Sequence, residues 1–370
     1  MKKLLLFLSV VPQLAGCADT SEHHPCDPLA TKETRALYAA LFRTACCGIL
    51  FGHQDDALYG HDWRFEPGRS DVRDCCGDYP AVFGWELGGM ELGAERSIDD
   101  VPFDLIARRL IEAAGRGAVN TVSWHPSNPE SGDSAWDCRT TTAVASILPG
   151  GCNHAQYRMW LDRLAMFFAS LRSADGVAVP VLFRPFHECT STGFWWGEAQ
   201  CTPDEYRALW RFTVGYLRDA KGLHHLLWVY SPDLFRDAEH YMERYPGDEW
   251  VDVLGLDAYH RPGEWDFAAG CDRMLSVLQR LGEEHGKPTA FTETGLEGIG
   301  IDTWWTECLL PVIRGRSLSY VLVWRNAHDR PTHFFGPWRG HSSESDFRAF
   351  VTDDKTRIML ESDLRDIYRP

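Results

Sequence analysis

Past its first seventeen residues the chain has no apolar run near the roughly 18 residues that mark a candidate membrane-spanning helix, so no later segment is expected to cross a bilayer. Positive charge is scarce. The 37 Lys and Arg face 53 Asp and Glu, a formal net charge of −16, and a surface so negative repels phosphate backbones, which argues against nucleic acid as a partner. No Pro-, Gly- or Ser-rich linker, shift in composition or long internal repeat divides the chain, so a single domain is expected. Signatures of several chemistries are missing as well. His187-Glu188 continues as Cys189-Thr190-Ser191 and lacks the second histidine of H-E-x-x-H, and there is neither a G-x-S-x-G elbow nor a Walker A loop. Neither a metal nor a cofactor is expected.

What is present is an ordinary folding composition: 370 residues, 44% hydrophobic and 24% charged, enough for a sizeable core. The 15 Trp are more than a core alone commonly demands, and their flat apolar faces suit sugar rings.

The N-terminus reads as an export signal. Lys2-Lys3 precede the apolar run Leu4 to Pro12 and the small residues Ala15-Gly16, so residues 1–17 are set apart from the fold. Leu14-Ala15-Gly16-Cys17 resembles a bacterial lipobox, in which the cysteine is acylated and becomes an anchor; a plain cleaved signal followed by an incidental cysteine is the alternative. The expected address is a bacterial membrane, taken as the outer one, with the face left open. Residues 18–30 are polar and aperiodic and read as a tether, and 31–370 as the domain. Eleven cysteines remain in an oxidising compartment, an odd number, and the local pairs Cys189–Cys201 and Cys138–Cys152 are the simplest disulfides to expect.

Eight short apolar runs recur: 48–51, 81–83, 119–122, 179–183, 226–229, 251–255, 289–291 and 320–323. The stretches between them, such as Tyr157 to Leu171 and Pro203 to Leu217, space apolar residues by three and four, the helical period. Strands apolar on both faces, alternating eight times with helices, predict a (β/α)8 barrel, and the open-sheet competitor lacks its G-x-G-x-x-G turn. Each run ends in polar or aromatic residues, which a barrel gathers on the face where such enzymes do their chemistry.

Two of those ends carry glutamates, Glu188 after the fourth run and Glu293 after the seventh. Cleaving a glycosidic bond needs one carboxylic acid and one carboxylate on opposite sides of the bond, and a facing pair supplies both. Strand-end carboxylates also cap helices, so the pair alone leaves both readings open.

The wider motifs are more specific. Phe183-Arg184-Pro185-Phe186-His187-Glu188, then Phe194-Trp195-Trp196-Gly197, and Phe291-Thr292-Glu293-Thr294-Gly295 resemble the signatures of glycoside hydrolase family 26, whose commonest members are β-1,4-mannanases. The likeness continues through Gly52-His53-Gln54-Asp55, Ser123-Trp124-His125, Trp228-Val229-Tyr230-Ser231-Pro232-Asp233, Leu256-Asp257-Ala258-Tyr259 and Trp324-Arg325-Asn326, in order along nearly the whole mature chain.

The resemblance implies a retaining, endo-acting enzyme with Glu188 as acid/base and Glu293 as nucleophile, acting on mannan, galactomannan or glucomannan. It further implies Tyr259 orienting Glu293, His125 and His187 bonding sugar hydroxyls, Trp324 stacking on a ring, and Asp257 and Arg325 binding the glycone side. Trp136, Trp195 and Trp196 join the expected substrate-contacting residues, as platform or wall. Where the family commonly has an aromatic before Phe-Trp-Trp, this chain has Thr192-Gly193, which puts the leaving-group stacking contact in doubt. β-1,3-1,4-Glucan or β-1,3-xylan are the substrate alternatives, and a glycan-binding lipoprotein without activity is the alternative of a different class. A monomer is expected.

Overall fold

A computed structural model describes residues 23–369. The signal segment, Cys17 and the first part of the tether lie outside the described residues. Eight parallel strands close into a barrel: β1 (Ile49–Gln54), β2 (Val82–Glu86), β3 (Val119–Trp124), β4 (Val181–Pro185), β5 (Leu226–Tyr230), β6 (Val253–Tyr259), β7 (Thr289–Gly295) and β8 (Tyr320–Val323). Each pairs with its sequence neighbour, and β8 returns to β1 with Leu50 opposite Tyr320 and His53 opposite Val323. The expected (β/α)8 architecture is what forms.

The two apolar faces explain it. Leu50, Val82, Leu182, Leu227, Val253, Ala290 and Leu322 pack together as the barrel interior, while the intervening Phe51, Phe83, Phe183, Trp228 and Phe291 pack in the layer beneath the helices. Helix α1 (Lys32–Cys47) sets Leu37, Tyr38 and Leu41 against the interior cluster and closes its lower end. The predicted helices appear as His154–Ser170 and Pro203–Val214. The second begins where Thr202 and Glu205 form a capping box with Pro203 in the first turn, a start written in the sequence.

One irregularity positions the site. β6 and β7 run in register up to Leu256 opposite Phe291, then Asp257 stands opposite Glu293, so Thr292 is an extra residue in β7. Its Oγ1 donates to the Leu256 carbonyl at 2.9 Å or the Asp257 carboxylate at 2.6 Å. Gly255 makes room for it, because a Cβ there would lie 2.5 Å from Thr292 Oγ1. The bulge lines up the Asp257 and Glu293 side chains on neighbouring strands.

Two expectations need correction. The tether does not run to residue 30: Pro25, Asp27 and Ala30 are buried, the Cys26 N–H donates to Asp252 at 2.6 Å, and Asp27 pairs with His224 at 2.8 Å. These partners precede β5 and β6, so the segment is seated at the lower end of the barrel. The two local disulfides are also not formed. Cys189 Sγ turns to the Tyr230 hydroxyl and Cys201 Sγ to the Trp196 carbonyl, while Cys138 Sγ faces the Thr192 carbonyl and Cys152 is exposed beyond the intervening helix Ala143–Ile147. No helix among the described residues is long and apolar enough to cross a membrane.

Candidate active site

Glu293 sits within β7 and only 3% of its surface is exposed. Arg184, buried on β4, donates to Glu293 Oε1 and, at 2.7 Å, to Asp257 Oδ2, so one guanidinium holds both carboxylates. The other Glu293 oxygen accepts the Tyr259 hydroxyl at 2.6 Å. Glu188 comes from the loop three residues beyond β4. Its backbone takes a left-handed φ of 53°, as does Phe186 at 50°, and its N–H donates to the Ser231 carbonyl at 2.7 Å. Such conformations cost about 1–3 kcal/mol each and persist where the surroundings enforce them. One oxygen from each of Glu188, Asp257 and Glu293 lies within 4.8 Å of the other two.

This crowding governs protonation. Burial, then the charges of Asp233, Glu293 and Asp257, push the Glu188 carboxyl well above the usual range against the opposing pull of Arg184. Glu188 thus keeps a proton where an ordinary glutamate has lost it. A cation at the three carboxylates would have to displace Arg184, which already serves two of them.

The histidines stand behind this centre. Burial alone would raise the Glu86 carboxyl at the end of β2, but the charge of His125 and hydrogen bonds from His125, Ser123 and the backbone hold it down at about 2. Glu86 in turn raises His125 against the effect of burial. The Nε2 atoms of His125 and His187 are 3.0 Å apart, and burial with the charges of Arg184 and His125 keeps His187 neutral. The consistent assignment is a charged His125 donating to a neutral His187, whose proton then sits on Nδ1, an atom with no partner among the described residues.

The remaining expected contacts divide. Trp136 is 53% exposed with its ring 5.3 Å from that of His125, and half-buried Trp324 lies 6.2 Å from the same ring, so both present open faces at the site. Trp195 and Trp196 do not: both are fully buried, their indole N–H groups donating to the carbonyls of Pro126 and His187 at 2.8 Å. Asp257 is likewise sealed, with Arg184, Ser231 and Thr292 around its carboxylate, so it supports Arg184 instead of meeting sugar. Arg325 pairs with Asp99 at 3.1 Å and reaches the Tyr59 hydroxyl at 3.3 Å.

Sequence reasoning missed Arg184, Glu86 and Asp99. A charged residue inside an otherwise apolar strand was the available signal for Arg184. It also missed a recess of about 480 Å³ beside Glu188, lined among others by Trp136, Thr190, Gly193, Asp233 and Arg261.

Comparison with known proteins places this geometry. The model of glycosyl hydrolase family 26 matches residues 26–283. A GH26 β-mannanase from Bacteroides ovatus superposes with a TM-score of 0.88 at 43% identity, over 92% of this chain and 98% of that one. The catalytic domain of a Bacillus sp. JAMB-750 GH26 endo-β-1,4-mannanase gives a TM-score of 0.86 at 31% identity, over 94% and 96%. A mannan endo-1,4-β-mannosidase of Bifidobacterium adolescentis is 33% identical across 91% of this chain, which spans only 35% of that larger protein.

Proposed function

The chain belongs to glycosyl hydrolase family 26, and from that premise we propose that it is an endo-acting β-1,4-mannanase that retains anomeric configuration. Its substrate is mannan, galactomannan or glucomannan, the substrate class named for its relatives. Glu293, held by Arg184 and aimed by Tyr259, attacks the anomeric carbon. Glu188 gives its proton to the glycosidic oxygen, and the leaving chain departs with that proton as the Glu293–sugar ester forms. Esterification removes the Glu293 charge, one of the charges that raise Glu188, so the ionised Glu188 then takes a proton from water as the water attacks the anomeric carbon and frees Glu293. His187 Nδ1–H and the faces of Trp324 and Trp136 meet the sugar. Arg325, buried against Asp99, orders the glycone end.

The observation that carries this reading is the separation of the Glu188 and Glu293 carboxylates, oxygen to oxygen within 4.8 Å. Inverting enzymes hold the two groups about 6.5–9.5 Å apart to seat a water, and retaining ones about 5–5.5 Å. The test is product release by the domain following Cys17 from linear mannan, galactomannan, glucomannan, mixed-linkage glucan and β-1,3-xylan, with Glu293→Ala as the blank and the first-formed anomer read by NMR. A ladder of manno-oligosaccharides of retained configuration supports the proposal. Release from glucan or xylan alone replaces the substrate, and silence on all five leaves a glycan-binding protein.

We also propose that the chain works as a monomer, exported and held on a bacterial membrane through an acylated Cys17. Cys17→Ser should move the protein from the membrane to the soluble fraction, and sedimentation of the mature domain should give the mass of one chain.

A further inference from the structure

The recess beside Glu188 is more than solvent space. Its lining includes Glu188 and neither Glu293 nor Tyr259, so it flanks the proton donor and not the nucleophile. A group seated there lies on the side of the scissile bond that departs. At one edge stands the half-exposed indole of Trp136, an apolar face for a pyranose ring. Gly193 leaves the wall open: apart from its two chain neighbours, Ser191 Oγ is the only atom among the described residues within 4 Å of a Cβ built there. Three polar groups complete the lining. Thr190 is 7% exposed and its hydroxyl has no hydrogen-bond partner among the described residues. Asp233 follows β5 and Arg261 follows β6, near enough for the Arg261 charge to act on Asp233, and neither makes a salt bridge among the described residues. A buried hydroxyl left unpaired is costly, and its position in the recess wall points to a partner that arrives with the ligand.

We propose that Thr190, Asp233 and Arg261 form a hydrogen-bonding site for the hydroxyls of the leaving-group sugar, which sits in the space that Gly193, with no side chain, leaves open. The proposal rests on the reading of Glu188 as the acid that serves this side of the bond. The ligand class is a neutral, hydroxyl-rich pyranose at the new reducing end of the departing chain. Guanidinium and carboxylate suit it because each pairs with vicinal hydroxyls in the complementary sense, one donating and one accepting.

The experiment compares two substrates of one enzyme: mannopentaose, whose leaving group is a sugar, and an activated aryl β-mannobioside, whose leaving group offers no sugar hydroxyls. Arg261→Ala and Asp233→Asn, each assayed at its own pH optimum so that the shifted Glu188 proton does not enter, should each lower kcat/KM for mannopentaose about ten-fold or more, as expected for losing a hydrogen bond to a charged group. The loss should appear in KM as well as kcat and be at least several-fold smaller on the aryl substrate, and Arg261→Lys should recover part of it. Thr190→Val, nearly isosteric, should shift the ratio the same way to a smaller extent and guards against a folding defect. Equal loss on both substrates, or none on mannopentaose, overturns the site while leaving the glutamates in place. A wild-type protein that cleaves the aryl substrate but no manno-oligosaccharide overturns the underlying reading.

Discussion

The Tyr259 hydroxyl donates to Glu293 Oε2 at 2.6 Å while Arg184 engages the other oxygen of the same carboxylate, so both oxygens of Glu293 are fixed from opposite sides. In its proposed role as nucleophile, a carboxylate held this way loses little freedom on reaching the anomeric carbon. Tyr259→Phe removes one constraint and leaves the ring, which packs on Phe335. A hydrogen bond to a charged group is worth about 1.5–3 kcal/mol, so kcat should fall roughly ten- to a hundred-fold with unchanged thermal stability. Steady-state kinetics beside a melting curve check it, and a kcat within two-fold of wild type would show that Tyr259 does not orient the nucleophile.

Glu188 and Glu293 should separate on leaving-group chemistry. Glu293→Ala abolishes turnover of every substrate, because no ester can form. Glu188→Ala loses polysaccharide cleavage yet retains far more activity on a dinitrophenyl glycoside, since a good leaving group departs without a proton. A Glu188→Ala enzyme as active as wild type on mannan would remove Glu188 from the mechanism.

The pH profile should follow Asp233. After burial, its negative charge is the largest influence holding the Glu188 proton in place. Removing a nearby negative charge makes the ionised form of Glu188 less unfavourable, so its pKa falls. In Asp233→Asn the alkaline limb of kcat/KM, where the acid loses its proton, should move to lower pH. A limb that stays put or moves up contradicts the electrostatic account.

Much of this was legible in the sequence, and the reasons differ by element. The eight strands could be read because a parallel barrel buries both faces, giving apolar runs such as Leu226-Leu227-Trp228-Val229 without alternation. That the Glu188 and Glu293 carboxylates meet at one end of the barrel could be read because they end such runs inside specific motifs. The bulge at Thr292 could not, since an extra residue in a strand leaves no mark on composition. Glu86 also ends a run, but its role depends on facing His125 from the next strand, a tertiary fact. Trp195 and Trp196 were expected to meet sugar as platform or wall because the motif is aromatic-rich, and the loop instead turns both indoles inward. The cysteine pairs failed for a similar reason, since closeness in sequence says nothing of where Cys189 Sγ points.

The Glu86–His125 pair carries a stability prediction whose sign follows from Glu86. Its carboxyl in the folded state lies at about 2, below the roughly 4.3 of a free glutamate. The Glu86 share of the stabilisation is therefore fully present above about pH 4.3 and is lost as pH falls toward 2, while the His125 share, its pKa raised by Glu86, is lost as pH rises through the folded-state value. Breaking a buried charged pair by removing one partner costs about 3–5 kcal/mol. Glu86→Ala should lower the unfolding free energy at pH 7, read from a denaturation curve, by that order and flatten its dependence on pH below about 4.3. Wild-type stability in Glu86→Ala would mean that His125 finds no use for its partner.

Trp136 and Trp195 give the sharpest contrast between contact and packing. Both are tryptophans near the motif loop, yet Trp136 is 53% exposed over the recess while Trp195 is fully buried with its N–H tied to Pro126. Removing a buried Trp costs about 3–5 kcal/mol in transfer and cavity terms, so Trp195→Ala should melt well below wild type and lose activity only through lost folded protein. Trp136→Ala uncovers no cavity and should melt with wild type, while losing the stacking face costs about 0.5–1.5 kcal/mol beyond simple burial, read as a several-fold rise in KM for mannan. Melting curves and mannan kinetics on the two variants decide it: if Trp136→Ala is the unstable one, or Trp195→Ala the one with a raised KM and native stability, the assignment of wall and platform is reversed.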